Sequence, residues 1–355
     1  MPKKKCALNA DCGRKDKLWI MSMYHEMSSY QHQRLRKHPV QRKIPVTLIG
    51  GFLGSGKTTL VNRAIALPEE ARTDVVVREH GLVSIDDKLI RLSPERIRAI
   101  SGVTMHMDEQ TMIYMSLDRL HDERYGKFDR LILETSGTEN PEELLQMFFL
   151  WDMPYMYKLN SLVTVVDSEY GMLNLDEYSQ AREQIGFADV LVLNKTDLAD
   201  EKTLNALEKR LRTINAAAKI IRASFGNVRL RDIDHDTLYD TLRNLKQADT
   251  REETEYMDGI NSIVIEEKEA LNKEKVNRWI QALFDSYGAK LLRSKGFFNF
   301  AGEDYRYEFQ AVRKSFHSYA NELWPDGEER KSVIVLIGEN LPDRQELTRT
   351  LHECI

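Results

Sequence analysis

Cysteine is scarce in this sequence, and long apolar runs are missing. The 355 residues include three cysteines, Cys6, Cys12 and Cys354, which do not make a disulfide framework. No stretch approaches the roughly 18 apolar residues that a membrane-spanning helix needs. The first 43 residues also lack the apolar core of a signal peptide. We therefore expect a cytoplasmic protein without a membrane partner.

The N-terminal segment has a net positive charge, whereas the rest of the chain is acidic. Residues 1–43 carry eleven Lys and Arg against three Asp and Glu, a net charge of +8, so the remainder carries −13 of the chain's total of −5. An acidic body does not favour nucleic acid as the main partner. The basic segment could contact RNA, an acidic protein or anionic lipid, but a solvated, disordered extension is the simpler expectation.

What the chain does contain is a phosphate-binding loop. Residues 51–58 fit the pattern G-x-x-x-x-G-K-[ST], after a run that predicts a buried strand and before a segment that predicts a helix. The glycines let successive N–H groups point at an anion, Lys57 reaches the terminal phosphates, and the Thr58 hydroxyl suits Mg²⁺. The residues expected to bind nucleotide here are Gly51, Gly54, Ser55, Gly56, Lys57, Thr58 and Thr59.

A second phosphate-sensing element is predicted where the strand Phe128–Glu134 ends in a carboxylate. Glu134 can order the attacking water, so Glu134 and Lys57 are the predicted catalytic residues. The N–H group of Gly137 can meet the γ-phosphate. These two groups would respond to the presence of a third phosphate.

An earlier strand, Asp74–Glu79, leads into a polar stretch over residues 80–87, where a P-loop protein would have a mobile switch. Glu79, Asp86 and Asp87 are candidates for Mg²⁺ or its water shell, because the ion takes one or two carboxylates beside phosphates. A solvated acidic loop explains these residues equally well.

The base is predicted from the tetrad N-K-T-D at residues 194–197, which follows an apolar strand. The Asp197 carboxylate can accept hydrogen bonds from guanine N1–H and N2–H₂, which adenine cannot supply, and this disfavours an ATP-dependent kinase. The Lys195 stem would lie along the ring and Asn194 would hold the loop and reach the base edge. A later strand, Ala218–Ser224, could cap the base. GTP with Mg²⁺ is therefore the predicted ligand.

A methionine-rich stretch gives a candidate metal site. Met105, His106 and Met107 offer thioether and imidazole groups, which suit a soft metal such as Cu(I). Methionine on a helix face also serves as pliable core filler. Both interpretations stay open.

The C-terminal part predicts a small α+β layer without a catalytic constellation. Its predicted elements are a strand at 260–265, a helix over Lys273–Lys295 ended by Gly296, strands at 297–300, 305–312 and 333–338, and a helix at 344–353. The fold class is thus α/β, a P-loop NTPase domain with a mostly parallel sheet followed by this α+β domain. The predicted boundaries are a basic extension at 1–43, the P-loop domain at 44–225, a helix and linker at 226–257 and the C-terminal domain at 258–355.

Taken jointly, these motifs resemble the CobW-like family of P-loop GTPases. The resemblance runs from about Ile44 to Leu351, and it rests on residues 51–60, 79–87, 134–137, 165–167, 184–189, 194–197, 291–296, 309–312 and 335–338. It implies a GTP-binding domain joined to a C-terminal domain that docks a client protein. It also implies that a metal, often zinc or cobalt, is loaded into client enzymes.

The sequence departs from that family at its metal motif. A Cys-x-Cys-Cys motif should fall within residues 101–106, and all three thiolates are absent. Thiolate gives such a site its affinity for Zn²⁺, and Met105 and His106 are neutral substitutes. The Asn that usually precedes the switch glutamate is replaced by Arg78, whose guanidinium could pair with a phosphate or with Glu134.

We therefore predict a GTPase that acts on a client protein in metal or cofactor homeostasis. Slow turnover is expected because no arginine finger is identifiable apart from Arg78. Two alternatives stay open, a metallochaperone whose remodelled site uses Met105, His106, Met107 and Glu79, and a GTP-binding regulator that does not hydrolyse GTP. A homodimer also stays open.

Overall fold

The computed structural model describes residues 43–66, 72–79, 96–101, 109–137, 140–150, 152–233, 259–324, 327 and 329–355. Within these ranges the apolar runs fold into two sheets. The strands of the first sheet are β1 (Ile44–Gly51), β2 (Thr73–Glu79), β3 (Ile97–Ser101), β4 (Arg130–Glu134), β5 (Tyr157–Asp167), β6 (Val190–Asn194) and β7 (Lys219–Arg222).

Among the described residues this first sheet has seven strands in the spatial order β3-β2-β4-β1-β5-β6-β7, and every neighbouring pair is parallel. The strands are largely buried, as in parallel sheets that helices cover on both faces. The accompanying helices are α1 (Lys57–Ala66), α2 (Glu109–Arg124), α3 (Glu142–Met147), α4 (Met153–Met156), α5 (Gly171–Glu177), α6 (Ser179–Phe187), α7 (Glu201–Ile214) and α8 (Leu230–Ile233).

The strand order reverses direction at β1. The chain first builds β2, β3 and β4 on one side of β1, and then β5, β6 and β7 on the other. Ligands of open parallel sheets bind beyond the carboxyl ends of the strands at such a reversal. The loops that follow β1, β4 and β6 therefore meet at the predicted nucleotide site.

The second sheet is antiparallel and has the order β11-β10-β9-β12-β8. Its elements are β8 (Ile260–Glu267), α9 (Lys273–Tyr287), β9 (Leu291–Phe298), β10 (Tyr305–Val312), β11 (Ser315–Leu323), β12 (Ser332–Glu339) and α10 (Arg344–His352). The side chain of Asn272 caps α9 by accepting hydrogen bonds from the N–H groups of Glu274 and Lys275, both at 3.0 Å.

One apolar cluster connects the two sheets. It includes Ile185 and Phe187 of α6 together with Leu292, Val335 and Ile337 of the second sheet, all buried. Two further clusters cover the other face of the first sheet and the space between the second sheet and its helices. The predicted domains thus share part of their core.

The predicted fold class is confirmed, but one helix boundary was wrong and two strands were not predicted. The helix predicted over Lys273–Lys295 ends at Tyr287, and Gly296 lies inside β9 instead of ending a helix. The strands β3 and β11 were not predicted. With β11 included, the order of elements in the C-terminal part is β-α-β-β-β-β-α. No helix in the described ranges combines the length and apolar character needed to cross a bilayer.

Candidate nucleotide-binding site

The loop after β1 carries glycines in the left-handed region of backbone space. The φ angle is 137° at Gly51, 74° at Gly54 and 99° at Gly56. A Cβ atom at Gly51 would lie 2.3 Å from the carbonyl oxygen of Val165, and one at Gly56 would lie 2.3 Å from Nδ2 of Asn194. Only glycine fits at these two positions, so part of the sequence pattern is a steric requirement of the loop itself.

Lys57 is the first residue of α1, and its side chain curls back over the loop. Its Nζ donates to the carbonyl oxygen of Gly51 at 3.0 Å and to that of Phe52 at 3.4 Å. Ser55 is buried, and its Oγ has no hydrogen-bond partner in the described part of the chain. Thr59 is exposed beside the loop. An ammonium group and a buried hydroxyl therefore lie within the loop that is predicted to bind phosphate.

Glu134 and Thr58 come together although they are distant in sequence. β4 pairs with β1 so that Glu134 lies opposite Ile49. The hydroxyl Oγ1 of Thr58 donates to Oε1 of Glu134 at 2.8 Å, and Glu134 is only 2% exposed. The hydroxyl predicted to hold Mg²⁺ and the carboxylate predicted to order water thus form one contact.

The second predicted phosphate sensor packs directly on the first loop. A Cβ atom at Gly137 would lie 2.7 Å from Cδ2 of Leu53. The N–H group of Thr135 donates to the carbonyl oxygen of Ile49 at 2.9 Å. The carbonyl oxygen of Gly137 accepts a hydrogen bond from Nε2 of Gln184 at 3.3 Å, a contact that the sequence analysis did not predict.

Asn194, which ends β6, connects two loops of the site. Its Nδ2 donates to the carbonyl oxygen of Ser55 at 2.9 Å, and its Oδ1 accepts from the N–H group of Gly226 at 2.9 Å. Asn194 is buried. Its amide is therefore engaged in bracing the phosphate loop, which is a different task from contacting the base edge.

Lys195 adopts a left-handed backbone conformation with φ of 62° and forms an ion pair with Asp167. The Nζ–Oδ2 distance is 2.7 Å. Asp167 ends β5 and lies in register with Asn194 on β6. This pairing was not predicted, although an acidic residue at the end of the neighbouring strand is a signal for it in the sequence. Asp197 is exposed in a 3₁₀ turn, where its carboxylate is accessible to a ligand.

The end of β7 lies beside the tetrad. The hydroxyl of Thr196 donates to the carbonyl oxygen of Ala223 at 3.1 Å and lies 2.9 Å from Oγ of Ser224. Phe225 follows with a positive φ of 53°, and 65% of it is exposed. The loop that is predicted to cap the base thus lies beside the tetrad that is predicted to bind it.

Several predicted site residues lie outside the described ranges, namely Asp86, Asp87, Met105, His106 and Met107. Glu79 ends β2, and Arg78 is buried just before it. Their neighbour Val77 is in register with Glu134. In the ranges that the structure describes, no group of three or more His, Cys, Asp or Glu is arranged to hold a metal ion.

A buried charged cluster lies at the other end of β6, between the two sheets. Asp189 accepts hydrogen bonds from the N–H of Leu162 and from Nη2 of Arg293, both at 2.8 Å, and from Nζ of Lys295. Burial raises the pKa of Asp189, but the charges of Arg293 and Lys295 outweigh it and hold that pKa below its usual range. Burial, reinforced by the neighbouring guanidinium of Arg293, lowers the pKa of Lys295 to about 8.

A second polar bridge joins the sheets near the nucleotide site. Arg313, in the turn between β10 and β11, donates from Nε to Oε2 of Glu142 at 2.9 Å. Nearby, Nδ2 of Asn140 donates to Oε2 of Glu183 at 2.6 Å. Burial raises the pKa of Glu183, while the charge of Arg313 opposes the increase. The loop after β4 is thus tied both to α6 and to the second sheet.

Two family models match the chain over adjoining ranges. The nucleotide-binding domain described as CobW/HypB/UreG matches residues 45–222. The C-terminal domain of the cobalamin synthesis protein cobW matches residues 260–355. The two matches correspond to the two sheets of the structure.

Individual relatives match over most of the chain. The chain is 30% identical over 314 aligned positions to the zinc chaperone YjiA of Escherichia coli strain K12, covering 85% of this chain and 96% of that protein. It is 26% identical over 385 aligned positions to the zinc-regulated GTPase metalloprotein activator 1 of Dictyostelium discoideum, covering 88% and 80%. The crystal structure of Zn(II)-bound YjiA GTPase from E. coli aligns with a TM-score of 0.65 and 28% identity, covering 89% of this chain and 100% of that chain.

Proposed function

Because this chain belongs to the CobW/HypB/UreG family of nucleotide-binding proteins, we propose that it is a GTPase whose nucleotide cycle acts on a client protein in metal homeostasis. Its relatives include a zinc chaperone and a zinc-regulated GTPase that activates metalloproteins. Their names support a metal-related role for this chain. The C-terminal domain is the proposed docking surface for the client.

The observation that carries the proposal is the convergence of three loops at the carboxyl edge of the first sheet. Thr58 of the phosphate loop contacts Glu134 at 2.8 Å. Asn194 of the base tetrad donates to the carbonyl oxygen of Ser55 in the same loop at 2.9 Å. Two hydrogen bonds thus tie the loops proposed for water activation and base selection to the phosphate loop.

Phosphate binding is assigned to Lys57 and to the loop around it. Its ammonium group donates to two loop carbonyl oxygens, those of Gly51 and Phe52. Charged phosphate oxygens are stronger acceptors than carbonyl oxygens, so the ammonium group would exchange these partners for the β- and γ-phosphates. The N–H groups of the loop and the N-terminus of α1 would add further donors.

Hydrolysis is assigned to Glu134. Its carboxylate would accept a hydrogen bond from a water molecule placed in line with the γ-phosphorus. As the water oxygen bonds to phosphorus, one water proton would pass to Glu134 and the bond to the β–γ bridging oxygen breaks. GDP and inorganic phosphate then leave, and the phosphate carries the proton away from Glu134. Turnover is expected to be slow, because the sequence contains no identifiable arginine finger apart from Arg78.

The residues around Thr58 fit a Mg²⁺ ion. A hydroxyl at a helix N-terminus beside a buried carboxylate is a hard oxygen donor set. Thr58 would hold the ion, and Asp86 would contribute directly or through water. When bound, Mg²⁺ would neutralise charge on the β- and γ-phosphates.

Base selection is assigned to the exposed carboxylate of Asp197, which can pair with guanine N1–H and N2–H₂. The ion pair with Asp167 would hold the Lys195 stem along the ring. Asn194 would fix the loop that carries both residues. These three roles give a preference for GTP over ATP.

A phosphate-release assay tests the GTPase step. We expect Glu134→Gln to lower kcat by about 10²- to 10⁴-fold, the usual contribution of a group that activates water. The matched control is Glu143→Gln on the exposed face of α3, which should keep the wild-type rate. Equal rates for wild type and Glu134→Gln would contradict the assignment, and an inactive wild type would contradict the proposed function.

A metal-binding assay tests the alternative, that this chain is a metallochaperone that carries metal to its client. Equilibrium dialysis with Zn²⁺, Co²⁺ and Cu(I), each with GDP and with GTP, would reveal a site made of Met105, His106, Met107 and Glu79. Binding that requires GTP and is lost in His106→Ala supports a metallochaperone. No binding at micromolar metal would remove the metallochaperone alternative and leave the GTPase proposed above, which acts on its client without carrying metal. The absence of all three thiolates from residues 101–106 favours the GTPase without metal cargo.

A further inference from the structure

α6 lies between the nucleotide site and the second sheet. At its C-terminal end, a Cβ atom at Gly186 would lie 2.8 Å from Cδ1 of Leu292 on β9. Toward the nucleotide site, two consecutive α6 residues, Glu183 and Gln184, contact the loop after β4. One short helix thus touches both the predicted γ-phosphate sensor and the C-terminal domain.

Gln184 makes the contact to the sensor itself. Its Nε2 donates to the carbonyl oxygen of Gly137 at 3.3 Å, and the side chain is buried, with 2% exposure. Its backbone carbonyl accepts from the hydroxyl of Thr164 at 3.0 Å, which fixes the residue to β5. The amide therefore approaches Gly137 from a rigid part of the fold.

Glu183 holds the far end of the same loop. Its Oε2 accepts from Nδ2 of Asn140 at 2.6 Å, and Oδ1 of Asn140 accepts from the N–H group of Glu142 at 2.9 Å. The loop is therefore bound to α6 on both sides of residues 138 and 139. Among the described residues of this loop, Gly137 receives a hydrogen bond from α6 on its backbone carbonyl.

A glycine has more backbone freedom than any other residue, so ordering it has a high entropy cost. A hydrogen bond to the Gly137 carbonyl restrains its ψ angle before ligand arrives. From this contact we propose that Gln184 is a positioning residue that holds Gly137 ready for the γ-phosphate. The inference rests on the proposed role of Gly137 in GTP recognition. Because GDP has no γ-phosphate, the affinity for GDP should not depend on Gln184.

The test compares affinities for GDP and for the non-hydrolysable analogue GMPPNP, with Mg²⁺, in wild type and in Gln184→Met. Methionine has a similar length and no donor. We expect Kd for GMPPNP to rise about three- to tenfold, the usual effect of one net hydrogen bond, while Kd for GDP stays within about twofold. The value of kcat/KM for GTP should fall by a similar factor.

The matched control is another buried amide, Asn215, whose Nδ2 donates to the carbonyl oxygens of Ile185 and Ala188 at 2.8 and 2.9 Å. Asn215→Leu should weaken folding without changing the ratio of the two nucleotide affinities. If Gln184→Met does not fold, Gln184→Asn shortens the same amide by one methylene and should give the same shift.

The outcomes separate the inference from the proposed function. A wild-type protein that binds GMPPNP and hydrolyses GTP, with an unchanged affinity ratio in the Gln184 variant, would overturn the positioning role alone. An equal loss of GDP and GMPPNP affinity would also overturn it, because that result indicates a merely structural residue. A wild type that does not hydrolyse GTP would instead overturn the GTPase.

Discussion

Asn194 and Asp197 belong to one loop and have opposite environments. Asn194 is buried and its amide bonds to the backbone of Ser55 and Gly226, whereas Asp197 is exposed in a 3₁₀ turn. A buried amide with two partners contributes to the shape of the site in every nucleotide state. An exposed carboxylate contributes only when a ligand supplies donors. Base preference is therefore expected to depend on Asp197, and the loop geometry on Asn194.

Replacement of Asp197 tests this division at the residue scale. We expect Asp197→Ala to weaken GTP binding by more than about tenfold and to leave ATP binding unchanged, because the lost acceptor serves guanine alone. Its melting temperature should stay at the wild-type value. Competition titration with GTP and ATP measures the preference.

Asp200 provides a matched control for that experiment. Its side chain caps α7 by accepting from the N–H group of Thr203 at 2.7 Å. Asp200→Ala should lower the melting temperature and keep the preference for GTP, since the Asp200 carboxylate is engaged by the N-terminus of α7. A loss of base preference in Asp200→Ala, or its retention in Asp197→Ala, would contradict the assignment.

At the scale of elements, the sequence predicted what local chemistry determines. The parallel strands were visible because β-branched apolar runs end in polar loops, and the phosphate loop because its glycines are sterically required at Gly51 and Gly56. The edge strands β3 and β11 were missed, since partners elsewhere in the chain define them. Contacts such as Lys195–Asp167 and Thr58–Glu134 also depend on strand order, which a single sequence does not reveal.

The boundary error at β9 has a specific cause. The sequence predicts that the helical pattern of α9 continues through residues 291–295 and stops at Gly296. In the structure Gly296 faces β12, and a Cβ atom there would lie 2.4 Å from the carbonyl oxygen of Val333. The glycine therefore permits two strands to approach, which is a tertiary reason and has no local signal.

Gly296→Ala tests this explanation. The added methyl group would separate β9 from β12, so we expect the free energy of unfolding to fall by about 2 kcal/mol or more. The control is Ser294→Ala on the same strand. The buried Oγ of Ser294 has no hydrogen-bond partner among the described residues, so this change should be neutral or stabilising. Chemical denaturation of both variants decides, and a neutral Gly296→Ala would contradict the explanation.

At the scale of the whole molecule, the contact between the sheets combines apolar packing with an unbalanced charge cluster. Arg293 and Lys295 place two cations on the single carboxylate of Asp189. Removing Asp189 would leave two buried cations without their anion, which is more costly than removing Lys295 and leaving an ion pair. The stability of the contact should consequently depend on pH through Lys295.

The pH dependence has a defined sign. The pKa of Lys295 is about 8 in the folded protein and about 10.5 in the unfolded chain. Between these values the unfolded chain binds a proton that the folded protein does not, so stability rises with pH by up to about 1.4 kcal/mol per unit. Below pH 8 and above pH 10.5 the contribution of Lys295 is constant.

The measurement is the difference in unfolding free energy between wild type and Lys295→Met, from denaturant titrations at pH 7.5, 9 and 10. Other ionisable groups, including Arg293, Asp189 and the nearby Glu308, largely cancel in this difference. We expect the wild type to gain relative to Lys295→Met as pH rises. A flat or falling difference would show that Lys295 keeps its proton in the folded protein.

The apolar cluster shared by the two sheets also limits how the protein can move. A hinge that swung the C-terminal domain away would expose Leu292, Val335 and Ile337 to water, at about 25 cal/mol for each Å² of apolar surface. A shear motion, in which packed elements slide by small steps, keeps that surface covered. The shared core therefore favours small sliding movements over hinge opening for any motion between the two sheets.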